Sequence, residues 1–270
     1  PPSIPMILFA LTANASIAAL FVAGILPGLL MCGGFMFMCW WVGKRRNFPR
    51  DLTPIDWRVF RTHLLYASPA LLLPVLIVLF LRFGIATPTE VAVLSTLYAG
   101  VVSVVVYRDL SLKRLNDAVV SAGLATGVVL LVIMASAAIG WLLTYDQMPT
   151  GVAHWIQQNV SQDWIVILIM NLLMLFIGMF IDLPAAVLLL TPVFLPLAAS
   201  IGMDPVQLGI MMVVNLAVGL YTPPVGTTLF ITSALAKVKV GQTVRELGPF
   251  YLVAFLVLAL VSYVPASILR

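Results

Sequence analysis

The chain has 270 residues, 62% of them hydrophobic and 9% charged, with a mean hydropathy of +1.13. A water-soluble domain carries about a quarter charged residues, so the composition excludes that class and places the chain in a membrane. The net charge of +4 sits in short loops between apolar runs, where it sets topology and forms no nucleic-acid patch.

The opening PPSIPMILFA has a counterpart in PPVGTTLFIT further on. Pro1, Pro2 and Pro27 recur as Pro223, Pro224 and Pro249, each shifted by 222 positions. A common spacing of this length points to two copies of one structural unit, as in transporters built from repeats with helices broken near the bilayer midplane. The chain starts inside the first copy and reads as the back part of a longer protein. After it, Asn14 and Ser16 read as loop residues.

The run 17–42 ends in Trp40 and Trp41 and is followed by Lys44, Arg45 and Arg46, an aromatic belt and basic cluster that mark a cytoplasmic end. Cys32 and Cys39 lie seven residues apart on this helix, too far for a disulfide, and read as buried structural thiols. In 44–63, Arg58 and Arg61 alternate with Trp57 and Phe60, a pattern that suits a short interfacial helix. Spans follow at 64–82 and 91–107, flanking an external loop with Arg82 and Glu90, and the basic loop with Lys113 and Arg114 is cytoplasmic. The run 118–145 has no charge, and the loop 146–163 has Asp146 and Asp163 without Lys or Arg, so it reads as external.

Two short apolar runs, 164–181 and 183–201, meet at Asp182-Leu183-Pro184. They are either two spans with a tight turn or a re-entrant hairpin whose turn is buried in protein. The lone acid at the turn favours the hairpin. Residues 206–236 carry no charge for 31 positions, more than the roughly 20 that one span needs, and GLYTPPVGTT interrupts them. Two half-helices with an unwound middle fit this stretch, since Pro223 and Pro224 leave upstream carbonyls without donors. Lys237, Lys239 and Arg245 mark the cytoplasmic side, and 249–268 returns outward. The two Pro-Pro copies then have opposite topology, an inverted repeat.

The break is the strongest chemical signal. Unwound carbonyls and the hydroxyls of Thr222, Thr227 and Thr228 are hard oxygen donors suited to Na⁺, while half-helix N-termini favour anions. The simpler reading is a proline kink that only bends a helix. Asp182 is the one carboxylate between apolar runs; it is either functional or the N-cap of the next helix. Gly178 allows close backbone approach or ordinary helix packing, Asn215 suits an interhelical hydrogen bond, and Tyr221 can line a cavity. His63 and His154 have no second ligand at metal spacing. No phosphate-binding loop, HExxH or nucleophile elbow occurs, so neither an ATPase nor a hydrolase is indicated.

Three stretches carry a family resemblance: GIATPTEVAVLSTLYAGVVSVVVYRDLS, FIGMFIDLPAAVLLLTPVFLPLAASIGMDPVQLGIMMVVNLAVGLYTPPVGTTLF and PPSIPMIL. They resemble the large membrane subunit of tripartite ATP-independent periplasmic (TRAP) transporters, over the whole chain and about the last two-thirds of that subunit. The resemblance implies an all-α polytopic membrane fold of the inverted-repeat elevator type, with re-entrant hairpins and broken helices. Residues 1–43 would end the first repeat, 44–63 would be a cytoplasmic interfacial linker, and 64–270 the second inverted repeat. The latter would hold spans at 64–82, 91–107 and 118–145, a hairpin at 164–201, a broken helix at 205–236 and a last helix at 249–268. The resemblance further implies the permease subunit of a bacterial inner-membrane symporter, not an enzyme, that imports an organic anion, usually a carboxylate, with Na⁺ as coupling ion and no other cofactor. Its partners would be a small membrane subunit and a periplasmic substrate-binding protein. A single-component Na⁺- or H⁺-coupled anion transporter of the same superfamily is the alternative. Carried over, one sodium site falls at Gly178, Gly219, Thr222 and Val225, and a second near Pro2 and Ser3. Asp182, Tyr221, Thr227 and Thr228 remain candidates for the substrate cavity.

Overall fold

The computed structural model describes residues 3–49, 56–147, 151 and 162–265. Its regular elements are all helical: α1 (Ile4–Ala13), α2 (Ile17–Ala23), α3 (Ile25–Arg45), α4 (Trp57–Arg82), α5 (Pro88–Val101) with a π-helical extension at Val102–Val106, and α6 (Leu112–Tyr145). Then follow α7 (Asp163–Gly178), α8 (Leu183–Ser200), α9 (Pro205–Gly219), α10 (Thr227–Ala236) and α11 (Val240–Tyr263). Among the described residues, six helical stretches are long and apolar enough to cross a membrane: Ile17–Arg45, Trp57–Arg82, Pro88–Val106, Leu112–Ile139, Leu183–Ser200 and Val240–Tyr263. The others are shorter; the ten residues of α1 or α10 cover only about 15 Å of a ~30 Å hydrocarbon layer.

Three helices begin earlier than hydropathy predicts. α4 starts at Trp57, where the Asp56 carboxylate accepts from the Arg58 and Val59 amides, so 57–63 are the first turns of a spanning helix and not a separate interfacial one. α6 starts at Leu112 and α11 at Val240, well ahead of the expected 118 and 249. The reason is common to all three. Backbone hydrogen bonding continues past the first charged side chain, and Pro249 is accommodated inside α11. Cys32 and Cys39 are free but exposed, not buried; a thiol on a membrane helix meets its apolar surroundings on the outer face as readily as in a protein core.

The chain divides into two compact units, residues 40–127 and residues 3–39 with those from 128 onward. In the first, α4 packs on α5. Pro69 removes the amide that the Leu65 carbonyl would accept from, and the Ser68 hydroxyl replaces it at 2.8 Å. The Tyr98 hydroxyl donates to the Pro69 carbonyl at 2.9 Å and that of Tyr107 to the Tyr66 carbonyl at 3.1 Å. Lys44 and Arg45 lie over the Trp40 and Trp41 rings, each 5.2 Å from the centroid.

The second unit is built around α9, which packs against α1, α2, α7, α8 and α11. Leu208, Met211, Met212, Leu216 and Val218 are fully buried, as expected of a helix apolar on every side. Gly209 lets α1 and α2 press in: a Cβ there would lie 2.6 Å from the Phe9 ring and 2.7 Å from Leu20. A polar layer crosses this apolar core. The Asn215 amide donates to the Asn171 carbonyl (2.9 Å) and Oδ1 (2.7 Å), Asn171 donates to Ser262 Oγ (3.0 Å), and Gln207 to the Ser262 carbonyl (2.9 Å). Buried in apolar surroundings, these bonds tie α7, α9 and α11 into one register.

Two segments of this unit share an outline. Ser3 and Gly226 are the N-caps of α1 and α10, and Asn14 (φ 52) and Lys237 (φ 55) are their left-handed C-caps. Ser16 and Lys239 are then the N-caps of the helices that follow. In each pair the separation is 223 positions, one more than the proline spacing.

Candidate ion and substrate site at the helix break

α9 stops at Gly219 and α10 starts at Thr227. Without Pro223 and Pro224 amides, the Gly219 and Leu220 carbonyls lose their normal helical donors. The chain folds back to supply others. Gly219 accepts from the Thr222 amide at 3.0 Å, and Leu220 from the Thr228 amide at 3.0 Å. The buried Thr222 hydroxyl donates to the Val218 carbonyl at 2.7 Å, and the Tyr251 hydroxyl on α11 to the Tyr221 carbonyl at 2.6 Å. Gly226 makes the reversal with φ +49, where a Cβ would stand 2.8 Å from the Thr222 carbonyl oxygen. Only glycine fits both the dihedral and the space.

The turn between α7 and α8 meets this break. A Cβ on Gly219 would lie 2.6 Å from the Gly178 carbonyl carbon and 2.9 Å from its oxygen, so the two backbones are in direct contact. The Gly226 amide donates to the Met179 carbonyl at 2.9 Å and pins break to turn. No hydrogen bond from a described residue reaches the carbonyls of Gly178, Thr222, Pro223, Pro224 or Val225. Gly178 and Thr222 are buried, so unpaired carbonyls there are costly and a small hard cation is one partner for them, whereas Pro223, Pro224 and Val225 are exposed.

The predicted site residues are therefore partly gathered. Gly178 and Gly219 meet in one contact, the Thr222 amide bonds the Gly219 carbonyl, and Val225 lies in the same break but is exposed. Thr227 and Thr228 form the exposed first turn of α10. Tyr221 is half-buried with an unpartnered hydroxyl, its ring stacked on Tyr251 at 5.7 Å. Asp182 occupies the N-cap position of α8 but is exposed, and its carboxylate makes no capping bond. Ser3 is the N-cap of α1, with no side-chain capping bond, while Pro2 and His154 lie outside the described residues. Glu90 accepts from the Thr87 amide and hydroxyl in a capping box, the plain role for that acid. Among the described residues no cluster of three or more His, Cys, Asp or Glu is placed to hold a metal.

Two participants escaped the sequence reading. Asn171 was signalled only by being the one amide within the run 164–181. Tyr251 had no signal, because its partner Tyr221 lies 30 residues away.

Residues 1–267 match the family "Tripartite ATP-independent periplasmic transporter, DctM component". The chain is 58% identical to the uncharacterized protein y4mL of Sinorhizobium fredii, over 98% of this chain and 64% of that protein. It is 34% identical to the 2,3-diketo-L-gulonate TRAP transporter large permease protein YiaN of Escherichia coli, over 100% of this chain and 63% of the relative. To the sialic acid TRAP transporter large permease protein SiaM of Vibrio cholerae it is 36% identical, over 98% and 62%. The chain thus spans a little under two thirds of the length of these relatives.

Proposed function

The chain belongs to the DctM component family of tripartite ATP-independent periplasmic transporters, and we propose that it forms the ion- and substrate-handling part of a Na⁺-coupled importer of an organic anion. It is a multi-pass protein of the bacterial inner membrane. The observation that carries the proposal is the backbone contact of Gly178 with Gly219 beside carbonyls that have no donor among the described residues. Na⁺ held there would satisfy the carbonyl oxygens near Gly178, Gly219, Thr222 and Val225. A carboxylate would follow the cation, because opposite charges attract strongly where water is scarce. The N-termini of α8 and α10, with Tyr221, Thr227 and Thr228, are the groups available to the anion.

The residues 3–45 and 226–263, with caps 223 positions apart, support an inverted repeat and an elevator-type fold. In this reading 164–201 is a re-entrant hairpin: the sixteen residues of α7 extend only about 24 Å. The carboxylate class is supported by relatives whose names specify 2,3-diketo-L-gulonate and sialic acid. A small membrane subunit and a periplasmic binding protein complete the transporter, which performs no covalent chemistry.

Reconstitution tests this. Proteoliposomes holding the complete large subunit with its small subunit should take up the anion only when the cognate binding protein is supplied. Equal uptake without that protein would instead favour a single-component carrier.

A further inference from the structure

The break is held from a second side, by α11. Tyr251 makes two contacts with one residue: its hydroxyl donates to the Tyr221 carbonyl at 2.6 Å, and its ring stacks on the Tyr221 ring at 5.7 Å with 12° between planes. Phe255, one turn on, stacks on Tyr251 at 6.2 Å. The Tyr221 carbonyl immediately precedes Thr222, whose own carbonyl has no donor among the described residues and faces Gly226 closely enough to exclude a Cβ. Fixing the peptide between residues 221 and 222 orients one of the two planes that meet at Thr222; the Thr222 amide bond to the Gly219 carbonyl and its hydroxyl bond to the Val218 carbonyl restrain the dihedrals that remain between it and the neighbouring carbonyl.

We infer that Tyr251 is a positioning residue for the coupling cation: its hydroxyl locks the 221–222 peptide, and so presents the Thr222 carbonyl in the orientation that the ion requires. This rests on the sodium reading above. The ring stack and the hydrogen bond have separable roles. The stack supplies burial and placement of the α11 side of the break, while the hydroxyl holds the peptide and also meets the Thr222 side chain. A residue that acts through backbone orientation alters cation affinity without touching the ion. Tyr251 therefore affects the Na⁺ concentration at half-maximal uptake more than the maximal rate.

The test uses the complete transporter in proteoliposomes at saturating anion and binding protein, with uptake titrated against Na⁺. Tyr251→Phe deletes one oxygen and keeps the ring. It is expected to raise the half-saturating Na⁺ concentration about fivefold, the effect of one lost neutral hydrogen bond, with the maximal rate preserved. Na⁺-dependent thermal stabilisation of the purified complex should shift to higher Na⁺ by the same factor. Phe255→Leu perturbs the stack and keeps the hydroxyl, and is expected to retain wild-type half-saturation. Wild-type Na⁺ dependence in Tyr251→Phe overturns the inference, as does an equal shift in Phe255→Leu, which would make the effect one of packing. Wild-type uptake that ignores Na⁺ altogether overturns the sodium reading itself, and this inference with it.

Discussion

The contact of Gly219 with the Gly178 backbone is an informative mutational target. In Gly219→Ala the new methyl would sit 2.6 Å from the Gly178 carbonyl carbon, 2.8 Å from its Cα and 2.9 Å from its oxygen. These are main-chain atoms that cannot rotate aside, so the cost is at the upper end of overpacking, about 3 kcal/mol. Alanine recovers about 0.5–1 kcal/mol of helix propensity, which leaves a net loss of about 2 kcal/mol. Gly248→Ala, inside α11, meets nothing within 4 Å and should gain about 0.5–1 kcal/mol from the same propensity. Thermal unfolding of the purified protein should therefore separate the two variants by about 3 kcal/mol. Relief of the clash parts the turn from the break and lengthens the Gly226-to-Met179 bond of 2.9 Å. The half-saturating Na⁺ concentration for uptake should then rise at least about tenfold, since each 1.4 kcal/mol is a factor of ten. Gly219→Ala that unfolds like Gly248→Ala and binds Na⁺ like wild type would refute the reasoning.

Other outcomes follow from the same geometry. Gly226→Ala forces a methyl within 2.8 Å of the Thr222 oxygen at φ +49; the backbone clash and the left-handed strain together should cost about 3–5 kcal/mol, read by thermal unfolding. Asn171→Leu removes the acceptor for Asn215 and the donor to Ser262; a stability loss of about 1–2 kcal/mol with unchanged Na⁺ half-saturation is expected, and a Na⁺ shift would move the site toward this layer. Asp182→Asn changes an exposed carboxylate without a capping bond and should alter Na⁺-driven uptake less than about twofold. With Cys32 and Cys39 replaced, because both are exposed, a single cysteine at position 44, 113 or 239 should react with an impermeant maleimide only from the cytoplasmic side. One at position 146 should react from outside; the reverse pattern would contradict the charge-based topology.

Much of the fold was legible because proline and charge act locally. Pro223 and Pro224 cannot donate, and the break falls there; the uncharged run 206–236 accordingly divides into α9 and α10. Gly178 and Gly219 were brought together in advance only by the family resemblance, which puts both at one sodium site; composition and spacing left Gly178 open between close approach and ordinary packing. Helix starts were not legible, because α4, α6 and α11 carry their first turns through charged residues that hydropathy treats as loop. The Tyr251 hydrogen bond was invisible for another reason. It joins residues 30 positions apart on different helices, and nothing in the local sequence of either shows that they meet.

The central claim is that a Na⁺ gradient acting at this break drives the anion inward. The most direct measurement compares uptake by the reconstituted complete transporter under a Na⁺ gradient alone and under a proton gradient alone, for wild type and Asp182→Asn. Uptake driven only by Na⁺ and retained in Asp182→Asn is the predicted result. Uptake indifferent to Na⁺, driven by protons and lost in Asp182→Asn, would contradict the account and make Asp182 the coupling residue.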